Sequence, residues 1–373
     1  MSQSAQAPTA EWINHRSALE RWLAELPADA VLGVDTEFMR RNTFYPQLAL
    51  LQLGWNGRYA LVDPTAFAIG DALQPSLGSS GTAISVMHSA SEDLEALAPL
   101  LPDGPRVLFD TQIAAAFVGM GLGISYRALV AELAGVELDK GETRSDWLQR
   151  PLTDSQRAYA TLDVVHLALV HEQLSERLLQ RDRSRWHAED CERLKRRASA
   201  RRGEAQPQRH FRAAAEWAPA RRALLRRILL WRDQTARALD RPRPWLLEDP
   251  LALSLAEQPP TTQAELDQRG SGQRALRSPQ RTELFALLAS PVSDEEIATT
   301  ASIPEHPQGE AKKSLAAMKE HVDTLATELD LPPGLLCPRK ALEEYVVTAE
   351  WPELLDGWRR EVLQPTLAKC LPG

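Results

Sequence analysis

The stretch Val31–Phe38 constrains the fold of this chain more than any other. In it, a short apolar run leads into two acids, Asp35 and Glu37, separated by one residue. Side chains two apart on a β-strand share a face, so the stretch predicts a strand with both carboxylates on one face. Neighbouring carboxylates repel each other, and a divalent cation with oxygen ligands relieves that repulsion. A solvent-facing strand end is the other interpretation, and further carboxylates in the chain decide between the two.

The remaining apolar patterns predict an α/β domain in the first half of the chain. They predict five strands, over residues 31–38, 48–53, 58–62, 83–88 and 107–109. They predict helices over residues 12–26, 91–101, 111–118, 125–134 and 153–180. Capping boxes are predicted at Ser89 with Glu92 and at Thr153 with Gln156. Three consecutive strands followed by alternating strands and helices indicate a mixed five-stranded sheet covered by helices.

The C-terminal half contains a weak internal repeat. Seven positions recur in a later segment, at offsets of 90 and then 89 residues: Ala236, Leu239, Asp240, Leu246, Leu253, Leu266 and Asp267. The preserved order indicates two small helical modules. Residues 181–219, which are rich in arginine and include Gly203 and Pro207, are predicted as the linker between the α/β domain and these modules.

The net charge of −8 argues against a general nucleic-acid binder, but the positive charge is concentrated in one region. Residues 177–243 contain 20 Lys and Arg against 8 Asp and Glu, a local charge of +12. Such a segment can form a phosphate-binding surface, and an arginine-rich solvated helix is the alternative. The chain has no long apolar run, no secretory signal at its start and three scattered cysteines, so a cytoplasmic protein is expected.

Two more acids complete a candidate site. Asp93 lies in the first turn of the helix after the fourth strand, at the edge where α/β sheets bind ligands. Glu92 is an alternative, and either acid could simply complement the helix dipole. Asp163 lies among apolar residues of the last predicted helix, with Tyr159 one turn earlier on the same face. Burial of a carboxylate costs free energy unless it is paired or binds a cation, which favours a role for Asp163 in the site. The predicted site therefore contains four carboxylates and one phenol.

Together these motifs resemble the three exonuclease motifs of the DEDD superfamily, in its tyrosine subtype. The resemblance rests on Asp35-Thr36-Glu37, Ser91-Glu92-Asp93-Leu94-Glu95 and Tyr159-x-x-x-Asp163. Other stretches are similar to the ribonuclease D family, namely residues 44–48, 110–113, 138–140, 145–148 and 150–153. The two C-terminal modules resemble the HRDC (helicase and RNase D C-terminal) domain and the related module behind it.

This resemblance implies a ribonuclease-H-like exonuclease domain over residues 1–205, an HRDC domain over 215–295 and a second HRDC-like helical domain over 296–373. It implies a metal-dependent 3′–5′ exoribonuclease that trims RNA 3′ ends, notably those of precursor tRNA, and releases 5′-mononucleotides. A monomer is expected because no motif marks an interface.

By the same resemblance, two divalent ions, Mg²⁺ or Mn²⁺, would be held by Asp35, Glu37, Asp93 and Asp163. Two such ions stabilise both the attacking water and the leaving oxygen of a phosphodiester. Tyr159 would complete the catalytic set by orienting the water or helping to deprotonate it. The ordinary pKa of tyrosine, near 10, favours the orienting role.

Two alternatives stay open at this point. One is a catalytically silent RNA-binding protein that uses the HRDC-like modules and the arginine-rich segment, although all four acids are present. The other is a 3′–5′ exonuclease that acts on DNA, although no helicase sequence accompanies the domain. The sequence also predicts that deleting residues 215–373 preserves cleavage of short single strands and weakens binding of structured RNA.

Overall fold

The computed structural model describes residues 8–138, 141–142, 145–198, 203–304 and 306–371, so residues 139 and 140 of one predicted family stretch lie outside it. The α/β domain is built on a sheet with the strand order β1-β4-β3-β2-β5-β6. Its strands are β1 Glu11–Ile13, β2 Val31–Met39, β3 Gln47–Trp55, β4 Arg58–Val62, β5 Ile84–Met87 and β6 Val107–Asp110. β2, β3 and β4 are antiparallel neighbours, whereas β5 and β6 run parallel to β2.

The predicted mixed sheet is confirmed, but among the described residues it has six strands rather than five. The additional strand, β1, lies inside the predicted helix 12–26, and the helix itself starts at Arg16. β1 runs parallel to β4 with Trp12 opposite Leu61, and Ile13 is fully buried. Pairing with the open edge of β4 outweighs the helical spacing because it satisfies backbone groups of both segments.

In the described part of the α/β domain, eight helices surround the sheet: α1 Arg16–Ala24, α2 Gly70–Leu77, α3 Ser91–Leu97, α4 Thr111–Phe117, α5 Tyr126–Ala134, α6 Asp154–Val165, α7 Leu167–Gln180 and α8 Ser184–Ala198. One sheet face packs against α1, α2, α3 and α8 around Leu32, Val34 and Leu53. The other face lies against α6 and α7. The site therefore forms where α3 and α6 approach β2 from opposite faces.

Two details of the helices differ from the prediction. The predicted helix 153–180 is two helices, α6 and α7, which meet at His166, although the capping box that starts α6 is present. The capping box predicted at Ser89 is wrong, because α3 starts after Ala90 and Ser89 adopts a φ of 57°. The N–H of Ala90 instead donates to the Asp110 carboxylate, at 2.8 Å.

The C-terminal half forms two helical units. The first unit contains α9 Pro219–Leu239, α10 Arg243–Leu246, α11 Asp249–Glu257, α12 Gln263–Arg269, α13 Ser278–Ala289 and α14 Asp294–Thr299. The second contains α15 Gly309–Glu328, α16 Pro333–Leu336, α17 Arg339–Thr348 and α18 Trp358–Leu367. Short 3-10 helices lie at Pro207–His210, Arg212–Ala214, Glu353–Leu355 and Ala368–Cys370. No helix among the described residues is long and apolar enough to cross a membrane.

The internal repeat is visible in the geometry of both units. Just after α9 and α15, Asp240 and Asp330 adopt left-handed conformations, with φ of 47° and 49°. The next two helices of each unit start 90 residues apart, which pairs the fully buried Leu246 with Leu336 rather than with Leu335. The one-residue deletion therefore lies further along the chain than the sequence predicts.

The predicted linker 181–219 is wrong over much of its length, because α8 occupies residues 184–198. Two inward-facing polar side chains of α8 have partners far away in the sequence. His187 Nε2 lies 3.1 Å from the Asp110 carbonyl oxygen, and Asp190 forms a two-contact ion pair with Arg359 of α18, at 2.5 and 2.7 Å. These contacts stabilise a helix whose sequence resembles that of an exposed linker.

The second helical unit shares an apolar core with the α/β domain. Trp358 of α18 stacks on Trp186 of α8, with ring centroids 4.5 Å apart, and meets the edge of Phe117 at 5.3 Å. Leu174 of α7 and Leu336 of α16 belong to the same cluster. The first helical unit, in contrast, has a core of its own. The domain boundaries derived from the sequence stay predictions.

Candidate active site

β2 and α6 bring three of the predicted acids together. α6 crosses the face of β2 that carries Asp35 and Glu37. One carboxylate oxygen from each of Asp35, Glu37 and Asp163 lies within 4.8 Å of the others. The two acids of β2 therefore share a face, as their spacing predicts, and α6 supplies the third.

The close approach of α6 depends on two glycines. Gly33 of β2 and Gly54 of β3 lie opposite each other in the antiparallel register. A Cβ atom on Gly33 would lie 3.2 Å from the carbonyl oxygen of Val164, and one on Gly54 would lie 3.0 Å from the same oxygen. Larger residues would push the end of α6 away from the sheet, and the neighbouring Asp163 with it.

Asp93 reaches the same region from the other face of the sheet. It is buried in the first turn of α3, whereas the alternative acid Glu92 is exposed. Its carboxylate accepts a hydrogen bond from Thr36 Oγ1 at 2.5 Å. Asp93 does not belong to the group of three carboxylates within 4.8 Å, but its charge raises the pKa of both Asp35 and Asp163.

The acids are held at pKa values far above their ordinary range. Burial, followed by the charges of the neighbouring acids, raises the pKa of Asp35 strongly and that of Glu37 to about 9. Burial likewise raises the pKa of Asp163 to about 7 and that of Asp93 to about 6. Such mutual repulsion is relieved by a bound hard cation, and an all-carboxylate donor set suits one.

Tyr159 lies one turn before Asp163 on α6, and its ring is 6.1 Å from that of Trp147. Burial raises the pKa of its phenol, and the charges of Asp163, Glu37 and Asp35 raise it further. The phenol therefore stays protonated at neutral pH and can donate a hydrogen bond beside the acids.

Sequence reasoning missed two polar side chains beside these acids, the partly buried Tyr126 and the buried Gln52. Tyr126, at the start of α5, has a pKa raised well above its ordinary value by burial and by the charges of Asp163 and Asp35. Gln52 lies opposite Asp35 in the β2–β3 register and is fully buried, and neither of its amide atoms bonds to a described residue. Gln52 could have been found from the sequence, because it is a polar residue inside the apolar strand β3. No comparable feature of the sequence identifies Tyr126.

Two family models match the chain. A model described as a 3′–5′ exonuclease matches residues 10–179, and a model of the HRDC domain matches residues 221–283. Ribonuclease D of Xanthomonas oryzae pv. oryzae is 42% identical over 365 residues, which cover 96% of this chain and 98% of that protein. The chain belongs to the ribonuclease D family. Ribonuclease D of Pseudomonas paraeruginosa is 33% identical over 98% of both chains.

A solved structure supports the same assignment for this ribonuclease D family member. The crystal structure of Escherichia coli RNase D, described as an exoribonuclease involved in structured RNA processing, matches with a TM-score of 0.81 and 27% identity. The match covers 97% of this chain and 98% of that one. The predicted exonuclease fold with a helical C-terminal half is therefore confirmed. As a family member, the protein is a 3′–5′ exoribonuclease that acts on RNA and depends on metal ions.

The glycine pair gives a first test of the site in this ribonuclease D family member. Gly54→Ala is expected to lower kcat on single-stranded RNA by about tenfold, because the added Cβ, 3.0 Å from the Val164 carbonyl oxygen, displaces α6 by a few tenths of an ångström, and a displacement of about 1 Å costs about 10²-fold. Gly70→Ala is the control, since a Cβ there would meet Leu100 Cδ2 at an ordinary 3.4 Å. The measurement is kcat at saturating RNA, with thermal unfolding to confirm that both variants fold. Wild-type kcat in Gly54→Ala would show that the position of α6 is not set by this contact.

Proposed function

We propose that this protein removes nucleotides one at a time from the 3′ ends of structured RNAs, including precursor tRNA, and releases 5′-mononucleotides. The observation that carries the proposal is the convergence of Asp35, Glu37 and Asp163 within 4.8 Å, with Asp93 buried beside them. The description of the Escherichia coli relative as an exoribonuclease of structured RNA processing supports the same class of substrate.

The four acids have the chemistry to hold two divalent ions, Mg²⁺ or Mn²⁺. Asp35, Glu37 and Asp163 would hold one ion, because their carboxylates lie within 4.8 Å of one another, and Asp93, whose charge acts on both Asp35 and Asp163, would help to hold the second. Zinc would favour His or Cys ligands, which the group of acids does not contain. When bound, such ions neutralise the phosphodiester and lower the pKa of a bound water.

The protein side chains supply position and protons. The Thr36 hydroxyl fixes the Asp93 carboxylate by donating to it at 2.5 Å. Tyr159, with its raised pKa, keeps its proton and donates a hydrogen bond that orients the attacking water. We therefore assign metal binding to the four acids Asp35, Glu37, Asp93 and Asp163. Tyr159 orients the attacking water.

The proposal also covers the cellular compartment, the oligomeric state and the domain boundaries of the enzyme. Cys191, Cys337 and Cys370 are free thiols, which suits the reducing cytoplasm. We propose a monomer, with the exonuclease domain over residues 1–205, the HRDC domain over 215–295 and the second HRDC-like domain over 296–373.

Cleavage of end-labelled strands tests the function. The full-length protein is incubated with a single-stranded RNA labelled at its 3′ or 5′ end, and with DNA of the same sequence, in Mg²⁺ or EDTA. The expected result is immediate release of labelled mononucleotide from the 3′-labelled RNA and a shortening ladder from the 5′-labelled RNA, in Mg²⁺ only. Binding without cleavage in Mg²⁺ or Mn²⁺ would favour a silent RNA-binding protein, and cleavage of DNA alone would favour a DNA exonuclease.

The raised pKa values give a pH-dependent stability. In the unfolded chain, Glu37 and Asp163 lose their protons near pH 4, whereas the folded, metal-free chain keeps those protons up to pKa values of about 9 and about 7. The folded state then binds more protons than the unfolded state, so stability falls as pH rises. The thermal midpoint in EDTA is therefore expected to fall between about pH 7.5 and 9, where the buried histidines no longer titrate.

Added Mg²⁺ is expected to remove the part of this fall that comes from the acids, so the Mg²⁺-induced rise in the thermal midpoint grows with pH. The control is Asp163→Asn, in which both the pH dependence and the Mg²⁺ effect are expected to shrink. A Mg²⁺ effect that is constant across this pH range would contradict the placement of the acids in one cluster.

A further inference from the structure

The first helical unit carries a groove that the exonuclease site does not use. Its volume is about 740 Å³, and it lies between the end of α9, α10 and the turn that leads into α13. Among the described residues, arginine, glutamine, serine and small or apolar side chains line the groove, and no carboxylate does. The lining residues are Leu239, Arg241, Trp245, Ser271, Gly272, Gln273, Arg274, Ala275, Arg277 and Gln280. In a chain with a net charge of −8, a groove of this size without an acid favours an anionic ligand.

Several arginines of the same unit pair with acids, and the groove arginines are not among them. The pairs are Arg227 with Glu296, Arg232 with Asp249, Arg269 with Glu265 and Arg281 with Asp267. In the described part of the chain, Arg241, Arg274 and Arg277 form no ion pair with a carboxylate, and all three are exposed. Their charge is therefore available to phosphate groups.

An aromatic surface lies among these charges. The guanidinium of Arg274 lies over the Trp245 ring, 5.2 Å from its centroid. The ring is partly exposed, and Leu239 at 39% exposure extends the apolar surface. Aromatic rings beside arginines bind unpaired bases by stacking, which a double helix cannot use because its bases are already stacked.

The groove is joined by direct contacts to the loop that follows the catalytic strand β2. Arg241 Nη1 donates to the carbonyl oxygen of Asn42, at 3.2 Å. The Asp240 carboxylate accepts from the N–H of Phe44 at 2.9 Å and of Tyr45 at 3.1 Å. Asn42 lies five residues after Glu37, so the chain between them spans at most about 18 Å. A strand that leaves the site can therefore enter the groove after a few nucleotides.

We propose that this groove binds an unpaired segment of RNA next to the 3′ end that is being trimmed, with a base stacked on Trp245 and phosphates on Arg241, Arg274 and Arg277. The identity of the ligand rests on the proposed function, whereas the binding site itself does not. Its role is to hold a single-stranded tail in line with the exonuclease site.

Binding measurements on the full chain in EDTA test the groove without cleavage. The probe is a fluorescent single-stranded RNA of about 20 nucleotides, followed by anisotropy at several salt concentrations. The double variant Arg274→Gln with Arg277→Gln is expected to raise Kd by about 10-fold or more and to make the slope of log K against log salt shallower by about 1.4, for two lost phosphate contacts. Trp245→Leu is expected to raise Kd by about fivefold or more with the slope unchanged.

The matched control is Arg221→Gln with Arg222→Gln, which removes the same charge at the start of α9, outside the groove. A wild-type Kd and salt slope in the groove variant, or an equal loss in the control, would overturn the proposal. A loss of affinity that is confined to blunt-ended duplex RNA would also overturn the proposal. In Mg²⁺, cleavage of a dinucleotide should stay at the wild-type rate while kcat/KM on the long RNA falls. If no RNA is cleaved but the groove variants still differ from the control in Kd and salt slope, the proposed function is refuted and the proposed RNA-binding groove is not.

Discussion

Asp163→Asn is expected to abolish hydrolysis and, at the same time, to stabilise the metal-free protein. The carboxylate is one of three within 4.8 Å of one another, so its loss removes part of the cation site. Removal of several kcal/mol of transition-state stabilisation lowers kcat by about 10³-fold or more. In EDTA above about pH 7, where Asp163 is charged, the neutral amide no longer repels Asp35, whose pKa the charge of Asp163 raises, so the thermal midpoint is expected to rise.

The opposite signs of these two effects separate a site mutation from a folding defect. Both quantities are measured on the same preparation, kcat in Mg²⁺ and the thermal midpoint in EDTA. Glu92→Gln is the matched control, because Glu92 is an exposed acid beside Asp93 and loses the same charge outside the cluster. Asp35→Asn is expected to behave like Asp163→Asn. Turnover within tenfold of the wild type in either variant would refute the assignment of these acids.

The candidate site could be predicted from sequence because its signals are local. Asp35 and Glu37 share a face through strand alternation alone, and Tyr159 and Asp163 do so through the helical turn. The choice of Asp93 over Glu92 came from the family resemblance, and the structure agrees, since Asp93 is buried and Glu92 is exposed. The tertiary partners of Asp93 were not predictable, because the contact with Thr36 joins residues 57 apart.

The parts of the fold that sequence reasoning missed depend on contacts between distant segments. β1 is a strand only because the edge of β4 lies beside it. Residues 181–219 are predicted as a linker because they are rich in arginine and include Gly203 and Pro207, and the inward positions His187, Asp190 and Lys195 of α8 are polar as well, so the sequence does not reveal a buried face. Their partners, including Arg359 and backbone carbonyl oxygens of β6 and the turn before it, lie far away in the sequence.

The same ion pair decides whether the second helical unit can be removed. Arg359→Met is expected to lower the free energy of unfolding by about 3–5 kcal/mol, because it leaves the buried Asp190 without its charged partner. The measurement is urea unfolding followed by near-ultraviolet circular dichroism, which reports on the stacked rings of Trp186 and Trp358. The neighbouring Arg360→Met is the control, since Arg360 is exposed and pairs with Asp356 at 3.5 Å, so it is expected to change stability by less than about 1 kcal/mol.

A double variant identifies the cause of the loss. Arg359→Met with Asp190→Leu removes both charges and is expected to recover most of the stability, because apolar replacement of a buried pair is often neutral.

Since Phe117, Leu174 and Trp358 share one core, the single variant Arg359→Met is also expected to lower cleavage of short RNA under mild urea. The deletion of residues 215–373 would then expose that core and fail to give a stable exonuclease, contrary to the prediction from sequence. Two separate unfolding transitions, with Arg359→Met shifting one that leaves activity intact, would show instead that the second helical unit folds independently.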